Sequence, residues 1–201
     1  GPFDIPEINK IAFFPGTFDP FSRSHKAIAT EIRNMGYEVY LALDEFSWSK
    51  KTQPRLQRRK ILSMSVSDEE NIYIFPDDIP VNIANPSDLA RLKKIFEGKE
   101  LSFVAGSDVI ENASCYRSAP TENSIHSLDH IIFKRTSDER RDGFANKKPY
   151  PIDGKIINLH LEEYFEDISS TRIRENIDSG RDISNLIDPV AQNYIFEKGL
   201  Y

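Results

Sequence analysis

The sequence predicts a single α/β domain built on one doubly wound, mainly parallel sheet with helices on both faces. Three observations carry that prediction. Short β-rich runs alternate with helical patterns from end to end, which is the pace of repeated βαβ units. The helical patterns repeat apolar residues at 3.6-type spacing and stop at glycines. Finally, 201 residues, 39% of them hydrophobic, suffice for one large domain with a well-buried core.

Taken in order, residues 11–16 (IAFFPG) read as the first strand and SHKAIATEIRNMG as the first helix. Ala27, Ile28, Ile32 and Met35 form its stripe, and Gly36 is its stop. Residues 38–45 (EVYLALDE) give the second strand. The helix over 54–66 should set Leu56, Ile61, Leu62 and Val66 on roughly one face. Residues 71–78 give the third strand, and 86–98 a helix capped by Ser87 and stopped by Gly98. ELSFVAGSD (100–108) is the fourth strand; a polar stretch then leads to DHIIFKR (129–135). A charged loop over 136–154 precedes the last strand, 155–161. Helices beginning in ISSTRIRENIDSG and DPVAQNYIFEKGLY finish the chain.

Composition narrows the function classes. A net charge of −6 argues against broad contact with extended nucleic acid, whose phosphates need a basic face. The single cysteine, Cys115, excludes an internal disulfide framework and a cysteine-based zinc cluster, and points to a reducing, cytoplasmic setting. No apolar run approaches the ~20 residues of a membrane span, so no membrane partner is expected. Residues 1–9 read as an N-terminal extension opening on a Gly1-Pro2 cloning scar, and 10–201 as the domain. That opening leaves room for fused neighbouring domains in a longer protein.

In an open parallel sheet, ligands sit outside the carboxyl ends of the strands, so chemistry should follow the strands. Two stretches meet that test. In GTFDPFSRSHKAIA (16–29), Gly16 ends the first strand, Asp19-Pro20 shape a turn, and a helix starts near Ser24. A helix N-terminus offers unpaired N–H groups and partial positive charge to a phosphate, and His25 in that first turn could bond the same anion. In ISSTRIR (168–174), Ser169, Ser170 and Thr171 open a helix that also carries Arg172 and Arg174. Hydroxyls, free N–H groups and guanidinium there make a second phosphate cradle.

G-T-F-D-P followed by x-x-x-x-H, with I-S-S-T-x-I-R later in the chain, resembles the nucleotidyltransferase superfamily of the HxGH and ISSTxIR signatures. Within it, the chain is most similar to bacterial nicotinate (nicotinamide) mononucleotide adenylyltransferases. QRRKILSMSV looks like that family's arginine helix with Arg58 at the arginine position, VAGSD its G-x-D, and IIFKR its fifth strand ending in Arg135. LIDPVAQNYIFEKGLY looks like its terminal helix. The resemblance implies a Rossmann-like fold and transfer of the adenylyl group of ATP to a mononucleotide phosphate, with release of pyrophosphate.

By the same resemblance, His25, with Ser22, holds the α-phosphate through the transition state. Gly16, Thr17 and Phe18 line the nucleotide site, and Ser169, Ser170, Thr171 and Arg174 bind the β- and γ-phosphates. Mg²⁺ bridges those phosphates, carried in with ATP, because the sequence offers no dedicated carboxylate cage. The small phosphorylated acceptor falls to Lys50, Arg58, Gly106, Asp108, Tyr116 and Arg135. The family's pyridine-stacking tryptophan lies eight residues after the G-x-D aspartate. That count from Asp108 reaches Tyr116, which can either stack or simply pack at a loop start. Trp48 is expected on the same rim as Tyr116, and Lys50 and Lys51 beside it fit either a mononucleotide phosphate or plain solvation.

The chain departs from H-x-G-H, reading Ser22-Arg23-Ser24-His25. A hydroxyl at 22 can still bond a phosphate oxygen. Ser24 in place of glycine either intrudes on the ligand or caps the helix. Two further readings therefore stand beside the first: nucleotidyl transfer to another phosphate, of the pantetheine-phosphate or cytidylyltransferase type, and a non-catalytic nucleotide-binding module.

Overall fold

The computed structural model describes residues 7–44, 52–134, 148–160, 170–178 and 186–201. In it the predicted alternation becomes β1 (Lys10–Gly16), α1 (Arg23–Asn34), β2 (Tyr37–Leu43), α2 (Arg55–Val66), β3 (Ile72–Ile74) and α3 (Pro86–Ile95). There follow β4 (Glu100–Gly106), α4 (Ser107–Asn112), β5 (Asp129–Phe133), β6 (Ile156–Leu159), α5 (Ser170–Asp178) and α6 (Pro189–Glu197). The six strands form one sheet in the order β3-β2-β1-β4-β5-β6, every pair parallel. The order reverses between β1 and β4, which is the switch point of a doubly wound fold.

Period-two alternation in β1 sorts the two cores. Ala12 and Phe14 face a layer with Ile28, Ala29 and Ile32 of α1 and Leu62 and Val66 of α2. Ile11 and Phe13 face the opposite layer, with Leu89 and Leu92 of α3, Phe96 and Phe103. A third cluster joins the far side of α2, through Ile61, to Ile173 of α5 and Ala191 and Ile195 of α6. Burying each such large side chain contributes about 1.5–3 kcal/mol.

Local details differ from the sequence reading at several points. Leu56 is exposed, because the buried face of α2 runs through Arg58, Ile61, Leu62, Ser65 and Val66. The cap of α3 is Asn85, whose side chain accepts the Ser87 N–H at 2.9 Å, with Pro86 in the first helical position. The polar stretch after β4 holds α4 and two 3₁₀ turns, Ser114–Arg117 and Ile125–Ser127. Helix α1 stops as expected: Gly36 takes φ +97°, a conformation that a side chain would strain.

Behind β4 and β5 lies a buried polar network. The Tyr116 hydroxyl sits 2.9 Å from His130 Nε2, and His130 Nδ1 lies 2.8 Å from the Leu128 carbonyl. That carbonyl can only accept, so Nδ1 carries the proton and Nε2 accepts from tyrosine. His126 Nε2 in turn donates to the Tyr116 carbonyl at 2.9 Å. Burial holds His130 below the ordinary histidine range, with the Leu128 carbonyl opposing. The folded protein therefore keeps His130 neutral while the unfolded chain takes a proton near the ordinary value of about 6.5. Its contribution to stability is complete above that value and is lost as pH falls toward the depressed folded value. Thermal melts followed by circular dichroism should show Tm falling from about pH 7 to about pH 5.5. A flat profile would contradict this assignment.

The strand pairing itself opens a site. The β1–β2 ladder runs to Gly16↔Leu43 and the β4–β5 ladder to Gly106↔Phe133. The β1–β4 ladder ends at Phe13↔Phe103. The two central strands thus part before either ends, leaving a crevice at the carboxyl edge where the strand order reverses.

Candidate active site

One wall of that crevice is the β1–α1 turn. Phe18 folds back over Gly16 in a left-handed conformation, φ +48°, and a Cβ on Gly16 would lie 2.7 Å from its ring. Only glycine lets that ring close down. Asp19, almost fully buried and joined to Pro20 by a cis peptide bond, accepts the Gln53 N–H at 3.3 Å.

Arg58 pins the turn from behind. Its guanidinium donates to the carbonyls of Thr17 at 2.8 Å, Gln53 at 2.9 Å and Asp44 at 3.2 Å. Burial pulls it below its ordinary value, with the Asp19 carboxylate opposing. The expectation that Arg58 meets the acceptor is corrected accordingly. At 5% exposure, with Nε and Nη1 spent on backbone carbonyls, it shapes the site from within.

At the start of α1 the structure resolves the altered signature. Ser22, not Ser24, is the N-cap: its Oγ accepts the His25 N–H at 3.2 Å, and its own N–H donates to His25 Nδ1 at 3.0 Å. This is a capping box with histidine in the place usually held by glutamate or glutamine. Ser24 lies one residue inside the helix and is buried. His25 is 7% exposed within an aromatic enclosure, its ring stacked on Phe21 at 5.5 Å and edge-on to Phe18 at 5.1 Å. The same turn of α1 is tied to the segment before α6. The Arg23 N–H donates to the Leu186 carbonyl at 2.9 Å, and Lys26 Nζ lies 2.9 Å from Asp188 Oδ2.

The opposite wall comes from the far end of the chain. Arg174 on α5 donates to the Asp19 carbonyl and lies 3.7 Å from the Asp19 carboxylate. The two stretches predicted to cradle phosphate therefore meet. The described part of helix α5 opens at Ser170. Ser169, Lys50 and Arg135 lie outside the described residues, as do Trp48 and Lys51. Tyr201, outside the predicted site residues, also contributes. Burial first and the adjacent Asp19 second push its hydroxyl far above the ordinary tyrosine value, with Arg58 and Arg174 opposing. No local pattern marks such a contact, which depends on how α6 packs.

On the β4 side, Gly106 ends its strand beside Asp108. A Cβ at Gly106 would fall 2.4 Å from Asp108 Oδ1 and 3.1 Å from the Phe133 ring, which explains the glycine. Asp108 Oδ1 is buried with no hydrogen-bond partner among the described residues. Tyr116 takes the packing alternative. It is fully buried and its hydroxyl is spent on His130, so it is not on the rim and offers no face to an acceptor ring. Among the described residues no group of three or more His, Cys, Asp and Glu is arranged to hold a metal ion.

Chemically, the turn at the start of α1 brings together a helix N-terminus with an imidazole in its first turn and a guanidinium from α5 resting on a carboxylate. These are the elements of a polyphosphate site. The chain is 26% identical over 201 residues to a Flavobacterium johnsoniae protein named "Probable nicotinate-nucleotide adenylyltransferase", covering 96% of this chain and 98% of that one. It is 24% identical over 203 residues to the nicotinate-nucleotide adenylyltransferase of Bacillus subtilis (strain 168), covering 96% and 99%. Among solved structures it superposes on Plasmodium falciparum nicotinic acid mononucleotide adenylyltransferase complexed with APC, with a TM-score of 0.69 at 20% identity over 96% of this chain and 97% of that one. A second structure of that enzyme, complexed with NaAD, gives the same TM-score at 21% identity and the same coverage. The profile of the cytidylyltransferase-like family matches residues 13–176, from within β1 to α5 and thus most of the chain, and the chain belongs to that family.

Proposed function

We propose that this protein is a nicotinate (or nicotinamide) mononucleotide adenylyltransferase. An oxygen of the mononucleotide phosphate attacks the α-phosphorus of ATP, the bond to the β-phosphate breaks, and pyrophosphate leaves. No protein nucleophile is required, so the chain's contribution is positioning and stabilisation of charge on the phosphoryl oxygens. In this reading His25 donates to the α-phosphate. Arg174 and the first turn of α5, with Ser169, Ser170 and Thr171, hold the β- and γ-phosphates. Gly16, Thr17 and Phe18 shape the nucleotide wall, and Gly106, Asp108, Lys50 and Arg135 are assigned to the acceptor.

One observation carries the reading. Arg174 bonds to Asp19, which brings the stretch that ends in Arg174 to the turn before His25 and supports a shared phosphate site. The names borne by relatives over nearly the whole chain support the choice of acceptor. The carboxylates near the crevice fit a divalent ion brought by the triphosphate, with phosphate oxygens as its main ligands, better than a resident one. Mg²⁺ supplies charge neutralisation on the leaving pyrophosphate when bound. The compartment proposed is the cytoplasm, where a lone thiol such as Cys115 stays reduced.

Burial of Tyr116 favours a second reading, in which the acceptor lacks a ring to be stacked at that position. Pyrophosphate release measured with ATP and CTP against nicotinate mononucleotide, nicotinamide mononucleotide and phosphopantetheine separates the two. Turnover is expected with ATP and a pyridine mononucleotide. Preference for phosphopantetheine or for CTP would establish the second reading, and no release with any pair would leave a nucleotide-binding module.

A further inference from the structure

We infer that Ser22 is a positioning residue that sets the tautomer of His25, so that the imidazole presents Nε2–H to the phosphate. The inference rests on the adenylyl-transfer reading for its consequence, though not for its geometry. Two groups of Ser22 converge on His25 Nδ1: the backbone N–H at 3.0 Å and the hydroxyl oxygen at 3.0 Å. The backbone group can only donate. The hydroxyl oxygen accepts the His25 N–H at 3.2 Å and keeps both a proton and a second lone pair, so it follows whichever role Nδ1 takes. A proton on Nδ1 would meet the backbone N–H head-on, so Nδ1 is the acceptor, the hydroxyl donates to it, and the single ring proton of the neutral imidazole sits on Nε2.

The enclosure keeps the ring in that orientation. Phe14, Phe18 and Phe21 surround it with centroids 6.5, 5.1 and 5.5 Å away, and a flip would exchange Nδ1 for carbon and forfeit the bonds to Ser22. The charged groups on the elements packed there are engaged with one another. Asp19 is held by Arg174 and the Gln53 N–H, and Lys26 is paired with Asp188, Asp68 and Glu69. Serine at this position thus does in one residue what a separate orienting partner does for many functional histidines: it fixes which nitrogen gives the proton. The donor reaches the developing charge already aligned, without reorganisation during the reaction.

Capping alone and tautomer control are separable by substitution. Ser22→Thr keeps cap and hydroxyl, whereas Ser22→Asp keeps an excellent cap but aims a carboxylate, an acceptor only, at Nδ1. Long-range ¹H–¹⁵N spectra of the full chain, with the His25 signals identified by their loss in His25→Asn, read the ring directly. The expected result is pyridine-type Nδ1 and protonated Nε2 in the wild type and in Ser22→Thr, with Nδ1 becoming protonated in Ser22→Asp. Melting by calorimetry should rank Ser22→Asp beside the wild type, and its pyrophosphate release should fall at least about tenfold, wrong-tautomer substitutions at histidine-dependent sites costing up to about 10⁴. A wild-type ring protonated on Nδ1 or split between tautomers overturns the inference, as does an unchanged ring in Ser22→Asp. Because the spectra need no turnover, failure of the adenylyl-transfer reading would appear separately, as absent pyrophosphate release from a wild type with the expected ring signals.

Discussion

His25→Ala lowers pyrophosphate release by roughly 10²–10³, the usual cost of removing one preorganised donor from a developing oxyanion. The affinity for ATP changes little, because in the proposed site the triphosphate is held by Ser169, Ser170, Thr171 and Arg174. Kinetically the loss appears in kcat and kcat/KM together, the pattern of an interaction made only in the transition state. The substitution also leaves the N–H of nearly fully buried Ser22 without its acceptor, which costs about 1–3 kcal/mol of stability. Assays therefore belong well below the variant's Tm. If KM for ATP rises as far as kcat falls, His25 holds the ground state rather than the transition state, and its assigned role is wrong.

Arg174→Ala removes most of the thermal stabilisation by triphosphate. A ligand that binds only the folded state at about 100 times its Kd adds about 2.7 kcal/mol, readily visible as a rise in Tm. With the guanidinium gone, millimolar ATP should raise Tm by a small fraction of the wild-type shift. The ligand-free variant also melts lower, since the almost fully buried Asp19 carboxylate keeps Arg58 but loses Arg174, and the Asp19 carbonyl loses its donor. That loss is about 1–3 kcal/mol. Arg174→Lys separates the effects: it restores charge beside Asp19 but not the planar fork that suits phosphate oxygens. An undiminished ATP shift in Arg174→Ala, measured by scanning fluorimetry, would remove Arg174 from the nucleotide site.

By itself the sequence determined the layers of the molecule. Period-two runs such as IAFFPG and 3.6-period stripes such as Ile28 and Ile32 are local signals, readable within a dozen residues, and their alternation leads to a parallel sheet. Helix starts suited to phosphate were legible in GTFDP and ISSTRIR for the same reason, because hydroxyls and turn residues act on their own backbone. What only the tertiary structure decided depends on partners distant along the chain. Asp19 and Arg174 meet across 155 positions. Arg58 proved to bind three carbonyls from the ends of β1 and β2 and the start of α2, although its place in the sequence fits an acceptor ligand equally well. Tyr116 had two readings until His130, on the neighbouring strand, claimed its hydroxyl and drew the ring into the core. The choice between Ser22 and Ser24 as cap turned on the imidazole of His25, which closes the capping box on one serine and not the other. Periodicity reports which face of an element turns inward, but it carries no information on what waits there, because burial and hydrogen-bond choice are set by the packed neighbours.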